Sequence, residues 1–271
     1  MTVPREVVIE AGGPAPSRPR RGWLAGVAVL LVLVLTAVVA FRWGAGSAPQ
    51  PHVTASPKAS PTRPPTSAEI YAALAPSVVT IIYAGAGGDG RLGTGVIASA
   101  TGVILTAYHV VQGSGSVQVV FADGTKSAAT VVGADPSIDI AALTASTLPT
   151  VVVPTVLGGA GRLAVGDTVM AIGNQLGLIS SATTGVVSGL NRESTTDSGV
   201  HITGLIQFDA AVNHGSSGGP LVNARGETVG IIIALANPTD DGTFIGVGFA
   251  VPIGAALGAG RGSPGPPGPQ Q

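Results

Sequence analysis

From Ser77 to Pro252 the chain is a succession of short apolar runs, rich in Val, Ile and Thr and cut by turn residues. Runs of this length and composition, bounded by Gly, Pro, Asn or Asp, predict strands. The pattern predicts twelve, at 77–85, 93–99, 102–110, 116–123, 127–135, 138–145, 167–174, 181–190, 204–210, 220–224, 227–235 and 242–252. Asp123-Gly124, Arg225-Gly226 and Asp241-Gly242 supply turns between them. Only 67–75 and 252–259 carry helical patterns, and both are short. The proline-containing stretch TLPTVVVPT divides the strands into two groups of six. That organisation implies an all-β protein of two antiparallel barrels or sandwiches.

One apolar run is of another kind. Trp23 to Phe41 is 19 residues without a charge. At about 1.5 Å per residue, a helix of that length just crosses a hydrocarbon core of about 30 Å. Arg18, Arg20 and Arg21 precede it closely and only Arg42 follows at once. This asymmetry predicts a cytoplasmic N-terminus (1–22), one transmembrane helix (23–43) and an exported remainder. A cleaved signal peptide is the alternative, and Gly46-Ser47-Ala48 is a weak cleavage site. Its apolar region would span only about 7–15 residues, which favours an uncleaved anchor. Residues 44–65, rich in Pro, Ser and Ala, are expected to form an extended tether, and 257–271 a disordered tail.

Composition narrows the chemistry. There is no cysteine, hence no disulfide, thiol nucleophile or thiolate metal site. No metal or other cofactor is expected. From Thr66 to Ile253 nine Asp and three Glu face four Arg and one Lys, a net of −7. An acidic surface argues against nucleic acid as a partner of this part.

The segment HGSSGGPLVN, His214 to Asn223, holds two adjacent serines among glycines. Acyl transfer needs an exposed hydroxyl nucleophile and backbone N–H groups aimed at the developing oxyanion. Ser217 suits this better than Ser216. Gly215, two residues before it, can turn its N–H inward beside that of Ser217, and Gly218 and Gly219 leave room for a substrate chain. An ordinary Gly/Ser turn is the bland alternative. Of four histidines, His52 lies in the tether and His201 in a polar loop. His214 is in the same tight loop as the serines, with no carboxylate nearby in sequence to orient it. His109 ends an apolar strand and leads into a Gly-containing turn. The base of a triad is oriented by a third group, commonly a buried carboxylate. Asp139, framed by Ile138 and Ile140, and Asp209, in IQFDAAV, both qualify, and the residues alone leave that choice open.

In sequence order His109, Asp139 and Ser217 follow the chymotrypsin-like His…Asp…Ser arrangement. The segments around them sharpen the match. GTGVIASATGVILTAYHVV, ADPSIDIAAL, VGDTVMAIGNQLGL, TTGVVSGLNR, IQFDAAVNHGSSGGPLVNARGETVGI and GVGFAVP each resemble blocks of the HtrA (Deg) family of trypsin-like serine proteases, in the same order, over roughly residues 67–256. The resemblance implies two six-stranded barrels, at about 66–146 and 147–256, with a site between them. It implies Ser217 as nucleophile, His109 as base, Asp139 as orienting acid, and the N–H groups of Gly215 and Ser217 as oxyanion hole. Asp209 then falls at a position the family fills with a non-triad Asp. Ala211 and Val212 fall at the base of the specificity pocket, with Gly246, Val247 and Gly248 as walls. No carboxylate is there, so the resemblance implies a small or medium apolar residue before the scissile bond, not Lys or Arg.

Departures from the pattern stand out. His214 replaces a usual Pro, Ser216 a usual Asn, and Gln175 a common Pro. Ser216 cannot form the ion pair with a freed N-terminus that an Asp there makes in many secreted relatives. No PDZ domain follows GVGFAVP, so the peptide-sensing trigger usual in the family is not expected. The resulting expectation is a membrane-anchored extracytoplasmic serine endopeptidase acting on protein or unfolded polypeptide, in protein quality control or stress response. Homotrimers are expected from the resemblance alone. The alternative is a catalytically silent protease-like binding module.

Overall fold

A computed structural model describes residues 21–44, 63–84, 90–113, 116–196, 199–235 and 244–259. The N-terminal 1–20, most of the tether, the Asp241-Gly242 turn and the tail from 260 lie outside the described residues. Two units are distinguished, Met1–Pro61 and Thr62–Gln271. The first contains helix α1, Arg21–Gly44. Of its side chains only those at 26 and 28–39 are described, and Val29 to Leu35 are exposed. Among the described residues no helix is long and apolar enough to cross a membrane.

The second unit begins with helix α2, Ser67–Leu74. Six strands follow: β1 Val78–Ala84, β2 Gly90–Ile97, β3 Val103–Ala107, β4 Ser116–Val120, β5 Lys126–Asp135 and β6 Ile140–Ala145, with the one-turn helix α3, Tyr108–Val111, after β3. Six more are β7 Thr168–Gly173, β8 Ser181–Thr195, β9 His201–Phe208, β10 Pro220–Asn223, β11 Thr228–Leu235 and β12 Gly248–Pro252, and helix α4, Ile253–Ala259, ends the unit. The first six close a barrel in the order β1-β2-β3-β6-β5-β4, and the second six repeat that order, β7-β8-β9-β12-β11-β10. β1 closes on β4 and β7 on β10, and these pairings are antiparallel. Buried apolar side chains make the cores: Ile81, Ile97, Leu105, Ile140 and Leu143 in the first barrel, and Ile206, Phe208 and Leu221 in the second.

All twelve predicted strands are present, with informative shifts at their ends. The strand predicted at 102–110 stops at Ala107 and coils into α3, which carries His109. The strand predicted at 138–145 starts at Ile140, because Asp139 takes φ 57°, a left-handed conformation that cannot continue a strand. Asp139 therefore sits in the turn before β6, not inside an apolar strand. β8 runs on to Thr195 and β9 starts at His201, so the region read as a polar loop is a long hairpin, with Thr195 opposite His201. Polar alternation without a strong apolar face hid it from the sequence.

Helices α2 and α4 pack across the barrel boundary. Ile70 and Leu74 of α2, together with Val78, bury against Met170, Ile172 and Val222 of the second barrel. Ile253, Ala256 and Ala259 of α4 join the core cluster of the first barrel. The interbarrel connection is bonded to both sides. Thr155 N–H donates to the Ile97 carbonyl at 2.8 Å, and its hydroxyl lies 2.6 Å from that of Thr228.

The start of α2 is held by a capping box. Thr66 Oγ1 accepts from the Glu69 N–H, while the Glu69 carboxylate accepts from the Thr66 N–H. Arg63 grips the same carboxylate with two bonds, of 2.6 and 2.8 Å. These contacts, Arg63 first and then Thr66, lower the Glu69 pKa to about 2 from an ordinary 4.5. A carboxylate with a depressed folded-state pKa contributes stability above the unfolded value and loses it as pH falls through the folded one. The wild type is therefore expected to melt higher than Glu69→Gln at pH 7. That advantage should shrink between about pH 4.5 and 2. Parallel Tm curves for the two proteins across that window would contradict the clamp.

Candidate active site

The first barrel offers a histidine–carboxylate pair. His109 Nδ1 lies 2.6 Å from Asp139 Oδ2, and the His109 backbone N–H donates to Oδ1 at 2.8 Å. The Tyr108 N–H donates to the Asp139 carbonyl at 2.9 Å, so the 139 turn and α3 are laced together. The left-handed turn at Asp139 is what directs its carboxylate back to α3. The Asp139 side chain is 5% exposed and that of His109 42%. Burial strengthens this contact, and a carboxylate acceptor places the proton on Nδ1. Nε2 is left unprotonated in the neutral ring and has no hydrogen-bond partner among the described residues.

The second barrel offers the serine loop, 213–219, between β9 and β10. Its two serines are placed very differently. Ser216 is 1% exposed, and its hydroxyl accepts the Asn213 N–H at 3.2 Å. Ser217 is half-buried and its hydroxyl makes no hydrogen bond, to Nε2 of His109 or to any other described residue. Uncomplexed sites often hold such groups beyond bonding distance until substrate arrives. The loop nevertheless abuts α3. A methyl group added at Gly218 would meet the Thr94 carbonyl, the Thr106 hydroxyl and, at 3.0 Å, the N–H of Ala107, just before α3.

The backbone of the loop is tied by its carbonyls. The His214 carbonyl accepts from the Leu176 N–H at 2.8 Å, and the Ser216 carbonyl from the Gly219 N–H at 2.9 Å. In a trans peptide the N–H points opposite to the carbonyl. The N–H groups of Gly215 and Ser217 belong to those two peptides, and neither has a partner among the described residues. Gly215 adopts φ 96° and Gly218 φ 85°, conformations that favour glycine. The loop thus carries two free, oriented donors flanking its accessible serine.

The residues proposed for a specificity pocket are not all alike. Val212 is 2% exposed in the core of the second barrel, and Gly248 packs beside it against Phe208. Ala211 is half-buried, and its carbonyl accepts from Gln175 Nε2 at 2.9 Å and from the Thr183 hydroxyl at 2.6 Å. Val247 is partly buried against the first core cluster, and Gly246, at φ 90°, faces open space.

Other candidates fall away from this arrangement. Asp209, the rival buried acid, is exposed and accepts the Val186 N–H at 2.6 Å, so it secures β8. His201 is on the surface beside Glu193, at 3.4 Å. His214 is exposed and its side chain makes no hydrogen bond among the described residues, while its carbonyl accepts from Leu176 N–H. His52 lies outside the described residues. No cluster of three or more potential metal ligands occurs among the described residues.

Sequence reasoning missed four polar residues behind the loop: Thr94, Thr106, Asn174 and Gln175, all buried. In the sequence Gln175 stands out only as a departure from the family pattern. Buried polar side chains beside the glycine-rich loop were the available signal, but Gln175 and Ala211 are 36 residues apart and Thr94 and Gly215 are 121 apart, and only the fold brings such pairs together.

Residues 93–231 match the trypsin-like peptidase domain family. Over 272 aligned residues, covering 90% of this chain and 58% of the relative, the chain is 37% identical to serine protease PepD of Mycobacterium tuberculosis. It is 42% identical to the chloroplastic protease Do-like 1 of Arabidopsis thaliana over 59% of this chain and 36% of that protein. The chain thus spans between about a third and three fifths of the length of these curated relatives. Among solved structures, the HtrA-type protease AlgW with tripeptide superposes with a TM-score of 0.65 at 34% identity, covering 72% of this chain and 62% of that one. The two-barrel topology, the His109–Asp139 pair beside the serine loop and these matches together identify the chain as a member of the trypsin-like peptidase domain family, with HtrA-type proteases among its relatives.

Proposed function

We propose that this chain is a serine endopeptidase, anchored in the membrane through the uncharged run Trp23 to Phe41 with its barrels outside the cytoplasm, that cleaves protein or unfolded polypeptide. One observation carries the reading. A histidine held on a buried carboxylate stands next to a loop whose accessible serine is flanked by two unpartnered backbone donors. In the proposed mechanism Nε2 of His109 takes the proton of Ser217 Oγ as that oxygen attacks the scissile carbonyl carbon. The carbonyl oxygen becomes an anion and accepts from the N–H groups of Gly215 and Ser217. Asp139 keeps the ring in the right tautomer and stabilises the imidazolium. The C–N bond breaks, His109 returns the proton to the leaving amine, and a water activated by His109 releases the acyl group. An oxyanion-hole donor is worth about 10²–10³ in rate.

Ala211, Val247 and the open space at Gly246 are the parts of the inferred pocket that a substrate side chain can reach. None is charged, which supports a small or medium apolar residue before the scissile bond. The anchor rests on the 19-residue uncharged run and the arginines before it. The curated relatives include proteins named as periplasmic serine endoproteases, which supports an extracytoplasmic site. A homotrimer remains a proposal from family resemblance. Protein quality control or stress response is the proposed setting.

A membrane-impermeant fluorophosphonate applied to intact spheroplasts bearing the full chain tests nucleophile and topology together. Label is expected on Ser217 and in the membrane fraction. It should persist in Ser216→Ala, vanish in Ser217→Ala, and fall at least about 10³-fold in rate in His109→Ala but only a few-fold in His214→Ala. Label surviving Ser217→Ala, or equal losses in the two histidine variants, would overturn the assignment. Label appearing only after lysis would overturn the topology. In a peptide library, cleavage is expected after Ala, Val or Leu, with Lys and Arg disfavoured at least about tenfold, or about 1.4 kcal/mol. A preference for Lys or Arg would refute the pocket reading.

A further inference from the structure

Thr94, on β2 of the first barrel, is completely buried and lies at the centre of the polar cluster behind the serine loop. Its N–H donates to the Ser217 carbonyl at 3.0 Å, and its own carbonyl accepts from the Thr106 hydroxyl at 2.7 Å. Its hydroxyl is also committed on both sides. Oγ1 accepts from the Asn174 N–H at 2.9 Å and donates to the Gly215 carbonyl at 2.6 Å. A hydroxyl has one proton. With Asn174 feeding a lone pair, and a carbonyl the other neighbour, that proton is committed to Gly215. Asn174 is itself held, its Nδ2 donating to the Gly93 carbonyl at 3.0 Å and its Oδ1 accepting from Ser180 N–H at 3.0 Å.

The consequence falls on Gly215. Its φ of 96° is open to few residues other than glycine, and glycine can leave it more freely than any other. Two restraints oppose that freedom. Leu176 N–H holds the carbonyl before Gly215, and Thr94 Oγ1 holds the carbonyl after it. The Gly215 N–H lies between these two fixed points. We infer that Thr94, through its side-chain hydroxyl, is a positioning residue of the hydrolytic reaction: from the opposite barrel it keeps the Gly215 peptide in the orientation that presents its N–H to the oxyanion. This inference rests on the proposed roles of Ser217 and Gly215.

Thr94→Val is nearly isosteric and keeps the backbone bond to Ser217 while removing the hydroxyl. Thr94→Ser restores the hydroxyl without the methyl group. With the full-length protein in detergent and an apolar peptide substrate, Thr94→Val is expected to lower kcat at least about tenfold with KM within about twofold. The rate of fluorophosphonate labelling at Ser217 should fall in parallel. Thr94→Ser should return both to within about threefold of wild type. A purely structural role would lower Tm in both variants but leave kcat per folded molecule unchanged. Equal kcat in wild type and Thr94→Val, or a loss not rescued by Thr94→Ser, would overturn the inference while leaving the protease reading intact. A wild-type protein that takes no label at Ser217 would overturn that reading itself, and the role of Thr94 with it.

Discussion

A closed barrel has no free edge, so two closed barrels cannot be joined by extending a sheet. Whatever is assembled between them depends on contacts across their interface, and behind the serine loop these form a polar seam, the backbone bond from Thr94 to Ser217 with the hydroxyl contacts around it. The proposed mechanism draws its base and acid from one barrel and its nucleophile from the other. A shift of an ångström across the seam would separate them. Leaving a buried donor or acceptor unpaired costs about 1–3 kcal/mol. The fully committed groups of Thr94, Thr106 and Asn174 therefore resist such a shift. The crossed packing of α2 and α4, each onto the barrel remote from it in sequence, adds apolar burial to the same end.

The seam also gives the departures from the family pattern a physical meaning. Ser216 turns inward and caps the Asn213 N–H, so the loop closes on itself without a charged partner at that position. Gln175 spans the gap to Ala211 with its amide and accepts from the Asn213 side chain at 3.4 Å, tying the loop after β7 to the segment before the serines. His214 contributes its carbonyl. A proline there would supply the same carbonyl, so the substitution leaves this anchor unchanged. Three substitutions that look like losses in the sequence are absorbed by side-chain and backbone bonds within one small region.

Much of the architecture was legible beforehand. Twelve β-branched runs bounded by turn residues, in two groups of six, are enough to locate every strand, and the two short helices stand out by contrast. Ser217 could be preferred to Ser216 because glycine spacing reflects backbone needs that are local. The choice between Asp139 and Asp209 was different. Both sit among apolar neighbours in the sequence, and family resemblance alone separated them. The structure separates them by burial: Asp139 lies under His109 and Asp209 lies on the surface against β8.

Local pattern thus determines the strands, the glycine-dependent turns and the preference for Ser217 over Ser216, since each is written within a short stretch of chain. The left-handed turn at Asp139, the inward hydroxyl of Ser216, the two unpartnered N–H groups and the Thr94 relay were decided only by tertiary structure. Each depends on a partner that closure of the barrels brings near, and Thr94 meets Gly215 across 121 residues of chain. A hydrogen bond over that separation leaves no periodicity to read. It exists because two barrels of the same topology pack with their open loops facing one another.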